Sequence, residues 1–468
     1  MQGQGRRSYP FCRKTDKCQP PKSGYDYIFC VPDAPTEFPQ VVSVPWGVGT
    51  GFMNAFYDAN ELYDAGTKAM AGSKFKYATQ LYRMHHLLYT AMLQKDLQNG
   101  TYSPSPGKKF VIKERGKTRF ITSNSTVDKT VNHVMSDKIL MPCLQPHLIY
   151  DNSSSQKGKG VTFHVERVKY HLRQYFMAHG SNDGWIMLTD FSGFYANIIH
   201  SVCMSVLTQF LKRGLTDPEE FELSLHLLSQ MFETFRLDVS RFSDVEIRRM
   251  YEQKVDPMMN VSVDPKLLTG EKFLEKGVEL GNQNSQSIGL IMPYRIDNYA
   301  KIVCGIKGYS RYTDDIMAIS DNKACLARLL EGIEREAKEY GLIINKKKTR
   351  IVKLSGFFRI LKDGYSLTET GRIIWKINPK AITRERQRLK AHKRLLEQGI
   401  MSSEEIENCY KGWIGANWKK MSRRQIYNMT DLFKKLFGRY PKWKKRHSRL
   451  RWLMTRKSAD WDSTATTS

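Results

Sequence analysis

The sequence lacks the features of several protein classes. No uninterrupted apolar stretch approaches the about 18 residues that a membrane-spanning helix needs, and no internal repeat is present. The opening segment, MQGQGRRSYPFCRKTDK, has no apolar core of the kind found in secretory leaders. We therefore expect a cytoplasmic protein that does not bind a membrane.

The cysteines show no framework of disulfides. All 8 of them are scattered along the chain, which favours reduced thiols where no secretory leader is present. Cys12, Cys18 and Cys30 lie close together, but their spacing matches no common zinc pattern and no nearby histidine supplies a fourth ligand. We expect no structural zinc in this segment.

Acidic residues are scarce relative to basic ones. The 47 Asp and Glu residues face 74 Lys and Arg residues, which gives a formal net charge of +27. Such an excess suits a polyanionic partner, either a nucleic acid or an anionic membrane surface. An apolar content of 41% excludes global disorder, and 468 residues suffice for several lobes around more than one core.

Three of the acidic residues lie at the ends of predicted strands. Asp314 and Asp315 lie between the β-prone halves of RYTDDIMAIS (311–320), and Asp190 follows the apolar run WIMLT (185–189). A solvated hairpin tip alone would explain the adjacent pair, because Asp is a common turn residue. If the two strands are neighbours in one sheet, however, the three carboxylates converge and repel each other unless a cation compensates them.

Converging carboxylates indicate a particular chemistry. Oxygen ligands favour Mg²⁺ or Mn²⁺ over zinc, and two such ions can organise an in-line phosphoryl displacement. Together with the positive charge, this suggests nucleotidyl transfer on a nucleic acid.

The order of the predicted elements indicates the fold class. The middle of the chain alternates strand, helix, strand, strand, helix, strand, which is compatible with a split βαβ sheet that has helices on one face. We expect a basic hairpin at 108–123, a helix at 127–149, a helical and then irregular insertion at 215–275, and basic helices from about 380.

Four motifs resemble, in this order, the successive palm motifs of reverse transcriptases. They are D-F-S-G-F-Y (190–195), G-N-Q-N-S-Q (281–286), Y-T-D-D (312–315) and G-L-x-x-N-x-x-K-T (341–349). The second motif and flanking segments such as ERGKTRFI look like those of the bacterial unclassified and defence-associated group, which is similar to abortive-infection enzymes. Enzymes of diversity-generating retroelements have a similar second motif. The resemblance covers about residues 105–420.

The resemblance implies an α+β fold of the right-hand polymerase type, with fingers, a ferredoxin-like palm and an α-helical thumb. It divides the chain into an N-terminal extension (1–50), fingers with the first palm elements (51–180), a palm with the insertion (181–377), a helical thumb (378–455) and a disordered tail (456–468).

Roles for the acids follow from the matching motifs. The resemblance makes Asp190, Asp314 and Asp315 the catalytic acids, which hold two Mg²⁺ ions, or Mn²⁺, together with the backbone carbonyl of Phe191. It places Tyr195 under the sugar, where an aromatic ring leaves no room for a 2′-hydroxyl. A DNA product is therefore expected.

Further roles concern the nucleotide and the primer. The resemblance assigns Lys113, Arg119, Tyr195, Gly281, Ser285, Gln286 and Lys348 to the nucleotide, and Phe357 and Phe358 to a turn that grips the primer. Lys113 and Arg119 would cover the triphosphate, Gly281 and Ser285 would shape the floor under the templating base pair, and Lys348 would approach the pyrophosphate. The alternatives are a solvated hairpin for the first two, exposure to solvent for Lys348, and core packing for the two phenylalanines.

Three positions depart from the family pattern. Leu280 replaces the Gln of the common L-P-Q-G string, Thr313 replaces a Met, Ala or Val, and V-D-K (127–129) replaces R-D-R.

The resemblance therefore implies an RNA-directed DNA polymerase that adds dNTPs, in bacterial anti-phage defence. Its expected partners are an RNA template, the DNA product and a dedicated non-coding RNA, while a homo-oligomer or a second protein stays open. The alternatives are a retroelement enzyme, a template-independent or protein-primed DNA polymerase, and a degenerate palm that serves as a nucleic-acid scaffold. Intact Asp190, Asp314 and Asp315 argue against the scaffold, which gains nothing from mutually repelling acids.

Overall fold

The computed structural model describes residues 54–114 and 117–442. The expected N-terminal extension, its three cysteines and the expected C-terminal tail lie outside these residues. The helices are α1 (Ala59–Ala71), α2 (Tyr77–Met84), α3 (His86–Gln98), α4 (Thr126–Val134), α5 (Met141–Leu144), α6 (Val161–His179), α7 (His200–Gly214), α8 (Pro218–Phe235), α9 (Asp244–Glu252), α10 (Gln283–Ile291), α11 (Tyr294–Asn298), α12 (Lys323–Glu339), α13 (Pro379–Glu397), α14 (Ser403–Asn417) and α15 (Arg423–Phe437).

The strands of the described residues form four antiparallel sheets. They are β1 (Lys108–Glu114), β2 (Lys117–Ser123), β3 (Trp185–Thr189), β4 (Leu237–Asp238), β5 (Phe273–Leu274), β6 (Gly308–Tyr312), β7 (Asp315–Ser320), β8 (Arg350–Lys353), β9 (Phe358–Ile360), β10 (Asp363–Leu367) and β11 (Ile373–Lys376). The predicted basic hairpin is the two-stranded ribbon β1–β2.

The central sheet has the strand order β6-β7-β3-β8. Each neighbouring pair is antiparallel, and the two inner strands β3 and β7 come from distant parts of the chain. This is the order of a split βαβ, ferredoxin-like sheet. The predicted α+β class and the predicted neighbourhood of the two acid-bearing strands are confirmed.

Both faces of the central sheet are buried, because side chains alternate along each strand. Met187, Ile316 and Ala318 share a core with α12 and with the helices that connect β3 to β6. Ile186 and Met317 point the other way, into a second core with α6 and the sheet β9–β11. The expectation of helices on one face only is therefore wrong. That expectation considered only the helices within the alternating strand and helix pattern, and α6 precedes this pattern in the sequence.

The expected helix at 127–149 is present but not regular. Between α4 and α5 the chain forms a π-helical segment, Met135–Leu140, and it ends in a 3₁₀ turn, Gln145–His147. The Ser136 hydroxyl in the π segment lies 2.9 Å from the hydroxyl of Ser287 in α10. Tertiary contacts of this kind leave no mark in hydrophobic periodicity.

The predicted insertion has two structurally different parts. Helix α8 belongs to the main core, to which it contributes Leu228 and Phe232 among others. Residues 236–275 instead pack around a small separate core formed by Val239, Val255 and Leu274.

The C-terminal helices α13, α14 and α15 enclose their own core, which contains Leu389, Tyr410 and Phe433. Helices α14 and α15 each begin with a capping box, at Ser402 and Ser422, which satisfies backbone N–H groups at their first turns. No helix within residues 54–114 and 117–442 has the length and apolar character that crossing a membrane requires.

Candidate active site

The strand register brings the three predicted acids to one edge of the central sheet. Thr189, the last residue of β3, pairs with Ile316 of β7, so Asp190 leaves the sheet next to Asp315. Tyr312 pairs with Asp315 across the β6–β7 hairpin, which leaves Thr313 and Asp314 as its turn. Asp190 is only 4% exposed, so the edge is more than a solvated hairpin tip.

The ammonium of Lys348 lies among these carboxylates. It forms an ion pair with Asp190 Oδ2, and the backbone turn that carries it is fixed by a 2.8 Å hydrogen bond from Asn345 N to the Asp190 carbonyl. The hydrogen bond to Asp190 raises the pKa of Lys348, and the charges of Asp315 and Asp314 raise it further. The cluster is therefore compensated by a lysine that remains protonated at neutral pH.

The site offers the oxygen ligands that a hard cation prefers. Asp190 Oδ1 is buried and has no hydrogen-bond partner among the described residues, and all three side chains offer carboxylate oxygens. No group of three or more His, Cys, Asp or Glu side chains in the described ranges is arranged as a metal site. Asp190 Oδ2 faces Lys348 instead, so a divalent cation that used this oxygen would displace the ammonium.

The turn of the hairpin is strained. Thr313 has φ = 55°, a left-handed conformation that a β-branched residue avoids and that costs about 1–3 kcal/mol. Its N–H donates to the Ser154 hydroxyl at 3.1 Å, and its carbonyl accepts from Arg311 Nη1 at 2.9 Å. Both backbone groups of the strained residue are thus held from outside the turn.

A buried charge network supports this turn from behind. The guanidinium of Arg311, which is fully buried, makes a bidentate ion pair with Asp297, with Nη2 2.7 Å from Oδ2. Tyr309 donates to the same carboxylate at 2.8 Å, and Arg311 also donates to the Leu290 carbonyl. Burial lowers the pKa of Arg311, but the charge and the hydrogen bonds of Asp297, together with the neighbouring tyrosines, raise it above its ordinary value, and the guanidinium stays charged.

Sequence reasoning missed both Arg311 and Asp297. The Arg next to the Y-T-D-D motif reads like any other cation of a basic chain. The only available signal was that it lies within an otherwise apolar strand pattern, where a charge needs a buried partner.

Tyr195 lies beside the acids. It begins a 3₁₀ turn after β3, and its ring packs on Gly289 of α10, where an added Cβ would lie 2.8 Å from Tyr195 Oη. Burial raises the pKa of Tyr195 to about 12, and the nearby Asp314 charge contributes. The neutral ring is therefore held rigidly next to the carboxylate cluster.

Four further residues that were predicted for the site lie at the start of α10 or directly after β3. Gly281 has φ = 109°, and an added Cβ would lie 2.8 Å from the Thr122 carbonyl of the ribbon. Ser285 is buried, and its hydroxyl has no partner among the described residues. Gln286 is exposed. Phe191 has a buried ring, and its backbone bridges to Ile344.

The ribbon does not bring Lys113 and Arg119 onto one face. Lys113 pairs with Thr118 and Arg119 pairs with Ile112, and successive residues of a strand point to opposite sides. Both side chains are exposed. The two phenylalanines also separate: Phe358 lies in the core with Tyr365, whereas Phe357 is 53% exposed.

The structure therefore brings Asp190, Asp314, Asp315, Tyr195 and Lys348 together. Residues 108–362 match the family model described as reverse transcriptase (RNA-dependent DNA polymerase). This match covers more than half of the 468 residues. The chain belongs to the reverse transcriptase family. Reverse transcriptases generally use divalent metal ions, and membership of the family together with the ferredoxin-like sheet confirms the right-hand polymerase fold.

Comparison with other proteins gives more distant neighbours. No curated protein matches this reverse transcriptase. Similar solved structures include telomerase from Candida albicans in complex with a telomeric RNA fragment (11% identity, 76% of this chain, 65% of that chain, TM-score 0.41). They also include apo telomerase from Candida tropicalis (12% identity, 71% of this chain, 62% of that chain, TM-score 0.42). A form of the same telomerase truncated from the C-terminal domain is similar as well (14% identity, 62% of this chain, 60% of that chain, TM-score 0.36). The chain spans less than two thirds of the length of each of these telomerases.

Proposed function

We propose that the protein is an RNA-directed DNA polymerase that extends a 3′-hydroxyl with deoxynucleotides. The observation that carries this proposal is the convergence of Asp190, Asp314 and Asp315 at one sheet edge, beside the half-buried ring of Tyr195. Membership of the reverse transcriptase family supports the same activity.

The acids fit a divalent-cation site by their donor chemistry and by the unpartnered, buried oxygen of Asp190. Asp190, Asp314 and Asp315, with the backbone carbonyl of Phe191, would hold two Mg²⁺ ions, and Mn²⁺ is the alternative. When bound, such ions stabilise the attacking and leaving oxygens of a phosphoryl transfer.

Lys348 would have two roles in this proposal. In the structure its ammonium compensates the carboxylate that a cation would take. Once displaced, the same ammonium, which a lysine retains at neutral pH, would donate a proton towards the leaving pyrophosphate. Its side chain is 59% exposed, which gives it the freedom to move between the two positions.

Tyr195 would exclude ribonucleotides. Its ring is fixed against Gly289 on one side, so it cannot withdraw from a 2′-hydroxyl in that direction. Since the phenol stays neutral with a pKa of about 12, the ring adds bulk without adding negative charge beside the aspartates.

The remaining assignments belong to the proposal as well. Lys113 and Arg119 would contact the triphosphate from the ribbon, Gly281, Ser285 and Gln286 would shape the nucleotide floor, and Phe357 and Phe358 would support the primer. Residues 51–180, 181–377 and 378–455 would be fingers, palm and thumb. Because the two ribbon cations lie on opposite faces, we expect only one of them to reach the phosphates at a time.

The biological setting rests on the motif resemblance alone. A bacterial origin, a cytoplasmic location and a role in anti-phage defence with a dedicated RNA are our inference from it. A retroelement enzyme and a template-independent or protein-primed polymerase are the alternatives.

A polymerisation assay tests the proposed function. Purified protein with Mg²⁺ is given four dNTPs or four NTPs, with and without RNase pretreatment of its template RNA. We expect incorporation of dNTPs only, and loss of it after RNase or in the variant Asp314→Ala/Asp315→Ala. Synthesis that survives RNase would contradict RNA templating and favour the template-independent alternative.

A further inference from the structure

A basic cleft lies on the surface of α6, away from the catalytic hairpin. Its walls are α6, β11 with the preceding turn, and the 3₁₀ turn Trp418–Lys420, and they enclose a volume of about 610 Å³. Six cations line it: Lys169, Arg173, Arg372, Lys376, Lys419 and Lys420. No acidic residue is among the lining residues in the described part of the chain.

Hydrogen bonds fix the walls of this cleft. Trp375 Nε1 and Lys420 Nζ both bind the Asp363 carboxylate, at 3.1 Å and 2.7 Å. The backbone N–H of Ile377 donates to the Lys420 carbonyl at 3.1 Å, which ties the 3₁₀ turn to the end of β11. The ammonium of Lys169 lies 3.9 Å from the centre of the Trp375 ring. Two walls are therefore joined before any ligand binds.

The turn before β11 is pressed against α6. Gly371 has φ = 75°, and an added Cβ would lie 2.6 Å from the Phe176 ring. Only glycine permits this approach. The close contact places Arg372 at the cleft together with Arg173 of α6.

Four of the six cations in the cleft are not neutralised by an ion pair. Lys169 is paired with Glu166, and Lys420 is paired with Asp363. Within residues 54–114 and 117–442, no ion pair is formed by the other four, Arg173, Arg372, Lys376 and Lys419. A concave surface with unneutralised charge of one sign concentrates ligands of the opposite sign.

We propose that the basic cleft binds the phosphodiester backbone of a nucleic-acid strand outside the catalytic site. Cations from three separate elements line an open cleft, which suits successive phosphates of a strand better than one small anion. The class of partner rests on the proposed function.

The position of the cleft separates it from the catalytic residues. His164, in the first turn of α6, contacts the Tyr312 ring, with a centroid distance of 5.5 Å. Arg173 lies nine residues further along the helix, which at about 1.5 Å per residue is about 13 Å away. A strand bound at the catalytic hairpin therefore has to continue beyond it by about four nucleotides, at about 3.4 Å each, to reach the cleft.

The test compares two triple variants that lose the same charge. Arg173→Gln/Arg372→Gln/Lys376→Gln removes three of the four unpaired cations of the cleft, and Arg248→Gln/Arg249→Gln/Lys266→Gln removes three exposed cations of the insertion. Binding of labelled RNA and DNA strands of about 3 and about 40 nucleotides is measured against salt concentration. Thermal melting confirms that both variants fold.

For the cleft variant we expect about tenfold weaker binding of the long strand, and a salt dependence whose log–log slope falls by about 2. The short strand should change less than about twofold, and so should every strand with the insertion variant. The single variant Lys419→Gln should weaken long-strand binding in the same direction and to a smaller extent.

Each outcome decides the proposal. Weaker binding of both RNA and DNA indicates that either strand uses the cleft, whereas weakening of one alone identifies the RNA or the DNA strand as the ligand. Unchanged binding and slope, or an equal loss in the insertion variant, would overturn it. If the wild-type protein binds strands through the cleft but incorporates no nucleotide, the proposed polymerase fails while the cleft proposal stands.

Discussion

The lysine among the three converging aspartates is the most informative residue of the site. Lys348 compensates Asp190 in the structure, and a metal ion bound there would have to compete with it for the same oxygen. Removing the ammonium should therefore make the carboxylates more available to cations, while it also removes the proposed proton donor.

We predict opposite effects of Lys348→Met on metal affinity and turnover. The Mg²⁺ concentration for half-maximal activity should fall, and the rate of single-nucleotide incorporation should drop by about 10²-fold. Incorporation measured across a Mg²⁺ titration checks both. Lys346→Met, a control at a lysine that is 82% exposed, should leave both values unchanged, and an unchanged rate in Lys348→Met would refute the proton-donor role.

The buried pair Arg311–Asp297 should matter for stability and activity in different ways. Arg311→Met leaves the Asp297 charge unpaired, which costs about 3–5 kcal/mol. The double variant Arg311→Met/Asp297→Leu removes both charges and should recover most of this loss. It should not recover incorporation, because the Thr313 carbonyl still lacks its donor.

Urea unfolding and single-nucleotide incorporation on the same samples separate the two effects. Recovery of both stability and incorporation in the double variant would show that Arg311 only stabilises the fold and does not position the catalytic turn.

Tyr195 should set the choice between deoxynucleotides and ribonucleotides. Tyr195→Ala removes the ring beside the aspartates, and we expect the ratio of dNTP to NTP incorporation efficiency to fall by about 10²-fold. Gly289→Ala should lower the same ratio to a smaller extent, because the added methyl displaces the ring. Tyr299→Phe, a control at a tyrosine of the palm outside the site, should leave the ratio unchanged.

At the scale of elements, a buried lysine helps to attach the insertion next to the site. Lys276 is fully buried, and its ammonium donates to the carbonyls of Met250, Tyr251 and Gln253 at 2.8–3.0 Å. Burial lowers the pKa of Lys276 to about 8. Just beyond it, Val278 donates to the Tyr195 carbonyl at 2.8 Å. The attachment of the insertion is therefore next to the loop that carries Tyr195.

Lys276→Met should destabilise this attachment. Three carbonyls in partly buried hydrogen bonds lose their donor, and we expect a loss of about 1–3 kcal/mol in the free energy of unfolding. Amide exchange should increase over residues 236–278 before it increases in the central sheet. Uniform protection across the insertion in the variant would contradict the role of Lys276 as its anchor.

The elements closest to the site were also the most predictable. Strands β3, β6 and β7 have short sequences in which apolar residues alternate with polar ones or follow each other without a break. The motifs indicated the order of these strands. The convergence of Asp190 with Asp314 could therefore be predicted from the sequence. The role of α8 in the main core did not follow. Its amphipathic pattern looks the same whether the helix packs on the palm or on a separate insertion.

At the scale of the whole molecule, the net charge of +27 predicted a polyanionic partner without locating its contacts. The basic cleft joins residues of α6 to residues of β11 and of the turn before α15, which follow α6 by about 200 positions or more, so no local charge run reveals it. The pairing of Arg311 with Asp297 was hidden because the two residues lie on different elements, 14 positions apart. Long-range contacts, more than local patterns, decide which cations are structural and which are free to bind.

The most direct test of the central claim is Mg²⁺-dependent single-nucleotide incorporation by Asp190→Asn, measured beside Asp183→Asn. Both substitutions remove one carboxylate near β3, but Asp183 is a solvent-exposed partner of Lys353 at the end of the strand away from the site. We predict a wild-type rate for Asp183→Asn and a loss of at least about 10³-fold for Asp190→Asn. A folded Asp190→Asn variant that incorporates deoxynucleotides at the wild-type rate would contradict the account.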